Sequence, residues 1–408
     1  MFKLNYRRAL LAILLMISPF STRAGDIDWN GFGSVYGAQS FNADVLAPNF
    51  TDQHLNFGTF SNFGLNVGSR LSDSLTVAGQ FLAYSPSSAE AWRMRANWAY
   101  LVYRPTDSTL IKLGRQLYPA FLASEYLSVG YLQINRRLPA TVYPLAPFSG
   151  FDGGSVTQTI METGIGRVST TLVIGAPNLA VGANAGGAPN DIAVDTSQSR
   201  TADLFGLGLS LDGVGYRVQA QVNTSNIIFN VPVPRRTRTA TPPFFSITNN
   251  NELLEGKPLT ATAGFRVDRN DIVNWTEAIW VRNPGGTQAP TRRTIPPGPA
   301  PQETVPFVGA MFGAYTTLGY RIGDFLPRYT FGYADVEGSY VAEGELQTHI
   351  IGLNYQVNAQ TVAKVEYEHN FVPKNNPYSA ITSAAAPPNN IAKGESGGAA
   401  YIGVDFIF

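Results

Sequence analysis

The sequence predicts an all-β protein: a transmembrane antiparallel β-barrel of about sixteen strands. Three observations carry that expectation. Beyond residue 24 no stretch reaches the ~18 consecutive apolar residues that a spanning helix needs. Segment after segment instead alternates apolar and polar side chains with a period of two, the signature of a strand with two different faces. The connections alternate between tight turns and long loops, as in a barrel whose two rims are built differently.

Composition narrows the classes further. The 408 residues carry 29 Lys+Arg against 29 Asp+Glu, and 14% are charged, well below the roughly 25% of an average protein. With 40 Gly, 24 Phe and 19 Tyr, the chain is too aromatic to be disordered and too neutral to carry the basic footprint of a nucleic-acid binder. Absence of cysteine excludes disulfides and thiolate metal sites. No cofactor or metal motif is expected: "GFGSVYG" (31–37) reads as a glycine-rich strand, not a nucleotide loop.

The first segment reads as an export signal, residues 1–24. Lys3, Arg7 and Arg8 precede an apolar run from Ala9 to Ile17, then Pro19 and small residues, with cleavage expected after Ala24. That run is too short to cross a bilayer. The expected barrel domain is 25–408. In order, its alternating segments fall near 28–40, 56–70, 74–84, 94–104, 109–115, 153–163, 167–176 and 202–211. They continue near 215–226, 259–268, 272–283, 306–322, 327–336, 344–357, 360–371 and 397–408. An aqueous export product can be a soluble sandwich, but one of this length would normally split into domains, and no linker divides the chain.

Parity assigns the faces. In "LTVAGQF" Leu75, Val77 and Phe81 oppose Thr76 and Gln80; in "YRVQAQVN" Tyr216, Val218 and Val222 oppose Arg217, Gln219 and Gln221. In the segment at 361–371, Ala363, Val365 and Tyr367 oppose Lys364, Glu366 and Glu368. Lumen charges nominated this way are Arg95, Lys112, Arg167, Arg217, Arg266, Arg328 and Lys364, against Glu366, Glu368 and Asp405. Basic groups lead, so a mild anion preference is expected of the pore. The last stretch, "YIGVDFIF", sets Phe406 and Phe408 on the apolar parity and Tyr401 and Asp405 on the other.

Short turns such as "RLSDSL" (70–75), "TGIG" (163–166) and "DRND" (268–271) alternate with long connections at 177–201, 227–258, 284–305 and 373–396. The connection at 117–153 differs from these. It carries Tyr118, Phe121, Tyr126, Tyr131, Tyr143, Phe148 and Phe151. So many large apolar side chains need a surface, and the wall of a lumen too wide to be filled offers one. This loop is therefore expected to constrict the pore.

The signal peptide, the sixteen segments, "LGRQ" (113–116) leading into a long third loop, and the terminal Phe408 together resemble a Gram-negative outer-membrane porin. The resemblance spans the mature chain in architecture. It implies an outer-membrane location, passive diffusion of small hydrophilic solutes, a homotrimer and contact with lipid and lipopolysaccharide. The arginine-bearing loops 232–243 ("PVPRRTRTATPP") and 284–301 suit an adhesin or receptor surface, or else lipopolysaccharide phosphates or solubility. It also implies a third-loop constriction faced by wall arginines, onto which Arg115 maps, with Arg136 and Arg137 as eyelet candidates. Glu125 and Asp152 complete the loop's charges, which cancel; the acidic tip common in general porins is missing. Tyr401, Phe406 and Phe408 match the terminal signal read by the outer-membrane assembly machinery. Tyr126 and Tyr131 are candidates for an aromatic rail, so a substrate-specific channel for a sugar or aromatic acid is the alternative, with an adhesin or receptor as a further one. Catalysis is not expected: His54, His349 and His369 have no serine or paired aspartate in register.

Overall fold

The computed structural model describes residues 27–41, 54–58, 60–85, 92–146, 149–178, 202–238, 245–282, 310–337, 344–371 and 396–408. The expected export segment 1–24 and most of the long connections lie outside these residues. Among them no helix is long and apolar enough to cross a membrane; the crossing elements are strands.

The first half comprises β1 (Ile27–Ser40), β2 (Asn62–Ser72), β3 (Leu75–Tyr84), β4 (Arg93–Thr106), β5 (Thr109–Leu117), β6 (Gly150–Thr163), β7 (Gly166–Asn178) and β8 (Ala202–Gly213). The rest follow as β9 (Tyr216–Arg238), β10 (Phe245–Gly256), β11 (Leu259–Arg269), β12 (Ile272–Arg282), β13 (Ala310–Tyr320), β14 (Phe325–Glu337), β15 (Gly344–Asn358), β16 (Thr361–Phe371) and β17 (Ser396–Ile407). Consecutive strands pair antiparallel, except that β10 and β11 both pair with β9, and β1 pairs with both β2 and β17, so the sheet closes on itself. Closure leaves no unpaired edge, the condition for crossing lipid with strands.

Seventeen strands make sixteen staves. The lower half of β9 pairs with β11 through Leu259↔Thr224, while its upper half pairs with β10 from Gly256↔Ile227 to Phe245↔Arg238. Strands β10 and β11 therefore follow one course along β9, interrupted at Lys257 and Pro258, where proline offers no N–H to the ladder. This corrects the expectation that 227–258 is a plain loop: both of its arms are a hairpin extending the wall. All sixteen expected segments are strands, β9 running on to Arg238 and the others shifted at their ends by a few residues; the second begins at Asn62 and the twelfth, β13, at Ala310.

Tight turns gather on one rim. At the turn between β11 and β12, Asn270 and Asp271 take φ of 51° and 66°, the left-handed pair a two-residue hairpin of type I′ demands, which Asn and Asp tolerate. The outer face is apolar: Leu207, Leu209, Val222, Leu318, Ile351 and Ile402 are each more than half exposed. A contiguous apolar band of this extent is a surface for lipid, not water. The opposite face buries Lys364, Glu366 and Asp405. Charge inside and hydrocarbon outside is the reverse of a water-soluble domain.

Candidate functional site

The inner face is built around the segment between β5 and β6. Three short 3-10 turns, Ser124–Tyr126, Gly130–Leu132 and Tyr143–Leu145, shape it. Its apolar side chains, among them Tyr118, Phe121, Leu138, Val142 and Leu145, form one buried cluster with Val273, Trp275, Ile279 and Val281 of β12 and with Tyr315 of β13. On β12 Val273, Trp275, Ile279 and Val281 accordingly face inward. Burial of each such side chain is worth ~1.5–3 kcal/mol, so the cluster is what holds the segment on the wall.

Polar anchors fix its register, and they run from β9 round to β1. The Ala120 carbonyl accepts from Gln219 at 3.3 Å and from Thr262 at 2.6 Å. On β12 the buried Glu277 carboxylate accepts from the Leu122 N–H and from the hydroxyls of Tyr143 and Tyr315. Asn135 reaches Thr317 at 3.3 Å and Thr330 at 3.1 Å. Lys364 donates to the Gly130 and Gln133 carbonyls, each at 2.8 Å, and pairs with Asp405 at 2.9 Å. Asp405 also accepts from Ser34 and Tyr36, both at 2.6 Å, tying the first strand to the last. The segment approaches this seam so closely that a Cβ at Gly130 would collide with the Asp405 carboxylate and the Ser34 hydroxyl. Glycine there is a packing requirement.

Arg136 and Arg137 are almost wholly buried. The Arg136 backbone N–H donates to Glu366, its guanidinium to the Phe60 carbonyl, and it lies 4.4 Å from the centre of the Tyr36 ring. Glu366 also pairs with Arg328. So Arg328, Lys364 and Glu366 of the wall and Arg136 and Arg137 of the loop, all nominated as pore-facing, are packed into the contact between loop and wall, with Arg136 bonded to Glu366 and Glu366 to Arg328. The eyelet expectation for Arg136 and Arg137 is corrected on that ground: burial removes them from passing solutes. Parity shows that a side chain points inward, but not that water reaches it.

Arg115 and Asp152 are also corrected. They pair with one another at 3.0 Å, both half-exposed, across the β5–β6 ladder. Their neighbours Gln116 and Phe151 are buried on the inner side, and no bulge interrupts the register from Thr109 to Leu117. The pair therefore stands on the outer face, and the Arg115 carried over from the porin resemblance has no counterpart in the lumen.

Water has room on the other side. A cavity of about 860 Å³ lies against the inner wall of β4 to β9 and is bordered by loop residues between Leu117 and Tyr126. Lys112, Arg217, Glu125 and Tyr126 line it. Lys112 meets Glu125 at 2.8 Å, Arg217 meets Asp212 at 3.4 Å, and Arg167 meets Glu162 at 3.0 Å. Burial raises the Glu125 carboxyl, but the adjacent Lys112 ammonium more than offsets this and holds it below its usual range. Two nominated cations have neutral partners. Arg266 donates to the Tyr126 hydroxyl at 3.1 Å and lies over Trp275, and Arg95 lies over Tyr84 at 4.8 Å. Tyr131 is used up in anchoring, donating to the Ala359 carbonyl at 2.7 Å. Aromatic residues that parity alone did not single out, Trp98 and Tyr100, line the cavity instead.

The terminal aromatics divide as their parity predicted. Tyr401 is buried on the inner side, while Phe406 and Phe408 stack with their centroids 6.3 Å apart and lie over Gly33 and Gly31 of β1. His349 and His369 are opposite one another on the outer face, where His349 Nδ1 is 2.7 Å from the Tyr329 hydroxyl. That face is remote from the cavity.

No protein-family model matches the chain, and no curated protein does. Solved structures do. An anion-selective porin from Comamonas acidovorans aligns at TM-score 0.56 and 9% identity, over 94% of this chain and 100% of the other. OmpF of Salmonella typhi, in complex with daunomycin, aligns at 0.55 and 14%, over 94% and 98%. The trimer form of OmpT from Vibrio cholerae aligns at 0.55 and 12%, over 94% and 100%. At such identities what is shared is architecture: the chain has the fold of the outer-membrane porins.

Proposed function

We propose that the protein is a porin of a Gram-negative outer membrane, a water-filled channel through which small hydrophilic solutes and ions diffuse passively, narrowed by the loop at 117–153. The observation that carries this is a closed ring of sixteen staves, apolar outside, enclosing a cavity of about 860 Å³ lined by Lys112, Glu125, Arg217 and other polar groups as well as apolar ones. Sixteen staves leave an interior that wall side chains alone do not fill. The loop's anchors to β9, β11–β16 and β1 support its role as the constriction, because they hold it at the wall and leave the β4–β9 side open.

A mild anion preference is the finer part of this reading, and it now rests on Arg95 and Arg266, whose partners are neutral. Most of the other nominated cations are matched by a carboxylate, so the bias is small. A homotrimer is supported by the Arg115–Asp152 pair. An ion pair on a lipid-facing wall is costly, and a neighbouring subunit would cover it. Tyr401, Phe406 and Phe408 are the proposed assembly signal, and the 232–243 stretch a proposed lipopolysaccharide contact.

The test is planar-bilayer recording of refolded protein under a KCl gradient. Stable steps of conductance with a reversal potential displaced slightly toward that of chloride are expected. Leak-tight vesicles refute the channel, and a clear cation preference refutes the selectivity.

A further inference from the structure

Trp98 and Tyr100 project from β4 into the cavity and stack on one another, centroids 4.8 Å apart at 21°. Further round the same wall, β6 and β7 offer hydroxyls in cross-strand pairs. Thr157 and Thr171 are 2.9 Å apart, and Thr159 and Ser169 3.5 Å. Three of the four cations lining the cavity, Lys112, Arg167 and Arg217, are already paired, and the fourth, Arg104, lies next to the β4–β5 turn. The Lys112 ammonium is 5.3 Å from the centre of the Tyr100 ring, yet it donates to Glu125.

This combination selects a ligand class. An aromatic slab presents a negative π-face, which attracts the weakly positive C–H face of a saturated ring. Hydroxyl groups both donate and accept, and so complement a solute that does the same at every carbon. An aromatic carboxylate would want a free cation for a charge-assisted bond, but those lining the cavity are largely taken. A neutral ligand avoids the cost of stripping water from a charge.

On the channel reading given above, we propose that this cavity contains a binding station for neutral polyhydroxylated solutes, sugars above all, with Trp98 and Tyr100 as its platform. The station slows a sugar in transit and makes its flux saturable, while ions pass the other parts of the cavity.

The probe is maltotriose, added to single channels of the full-length protein in planar bilayers. It is expected to reduce current saturably, while a polyethylene glycol of equal size reduces it only in proportion to concentration. Trp98→Ala is expected to weaken the maltotriose block roughly three- to tenfold, the worth of one aromatic contact. Trp98→Phe, which keeps a ring, restores most of it and serves as the folding control. Linear rather than saturable block by maltotriose, block indifferent to Trp98→Ala, or tighter block by benzoate than by maltotriose overturns the station and leaves the channel standing. Protein that inserts without conducting overturns the channel reading and the station with it.

Discussion

Glu277 gathers three donors on one carboxylate: the Leu122 N–H and the hydroxyls of Tyr143 and Tyr315. Replacing it with leucine strands all three in a buried site, at ~1–3 kcal/mol for an unmet group. Glu277→Leu is expected to lower the guanidinium midpoint in lipid vesicles and to open the loop to protease, whereas Glu277→Gln, which retains an acceptor, is milder on both. Lys364 offers a second case. Lys364→Met leaves Asp405 without its ion-pair partner, at a cost of about 3–5 kcal/mol for a broken buried pair. Adding Asp405→Leu recovers part of that loss in the same unfolding measurement. At this scale the sequence was only half readable. Parity set Lys364, Glu366 and Arg328 inward correctly, but whether water or a loop meets them depends on contacts between residues more than two hundred positions apart, as with Lys364 and Gly130. Arg115 shows the converse: the alternation of β5 had it outward, and the inference by resemblance alone turned it inward.

The loop between β5 and β6 behaves as an element in its own right, with an apolar underside matched to β12. Its aromatic content was visible in the sequence and marked it as needing a surface. Its path from β9 to β1 was not visible, because that path is fixed by single carbonyls and hydroxyls meeting particular wall residues. Deleting residues 119–148 is expected to raise single-channel conductance several-fold and to broaden the size cutoff for neutral polymers. An unchanged conductance would show that the loop does not set the bore. Gly130→Val offers a gentler probe. The added bulk strikes Asp405 and Ser34, so the loop lifts locally, and noisier open-channel current is the expected readout. The staves themselves were legible throughout, since a period of two survives in each strand without reference to any other. The β9–β10 hairpin was missed because its residues are polar and proline-bearing, and read as loop chemistry.

For the molecule as a whole, the outer wall should be lipid everywhere except where another chain sits. Arg115 and Asp152 break the apolar band, and a double Arg115→Leu/Asp152→Leu variant separates two explanations. If a subunit covers the pair, the variant shifts the temperature at which oligomers dissociate in detergent gels; if lipid does, the dissociation temperature stays put and the monomer becomes more stable. Closure has its own consequence. Residue 32 pairs with residue 407 and residue 36 bonds to residue 405, so β1 finds its partner only once β17 has been made. Until those final residues arrive, the sheet is an open scroll with two raw margins, unfit for hydrocarbon. A premature stop near the end would therefore cost far more than a dozen residues: it would leave a scroll that never becomes a vessel.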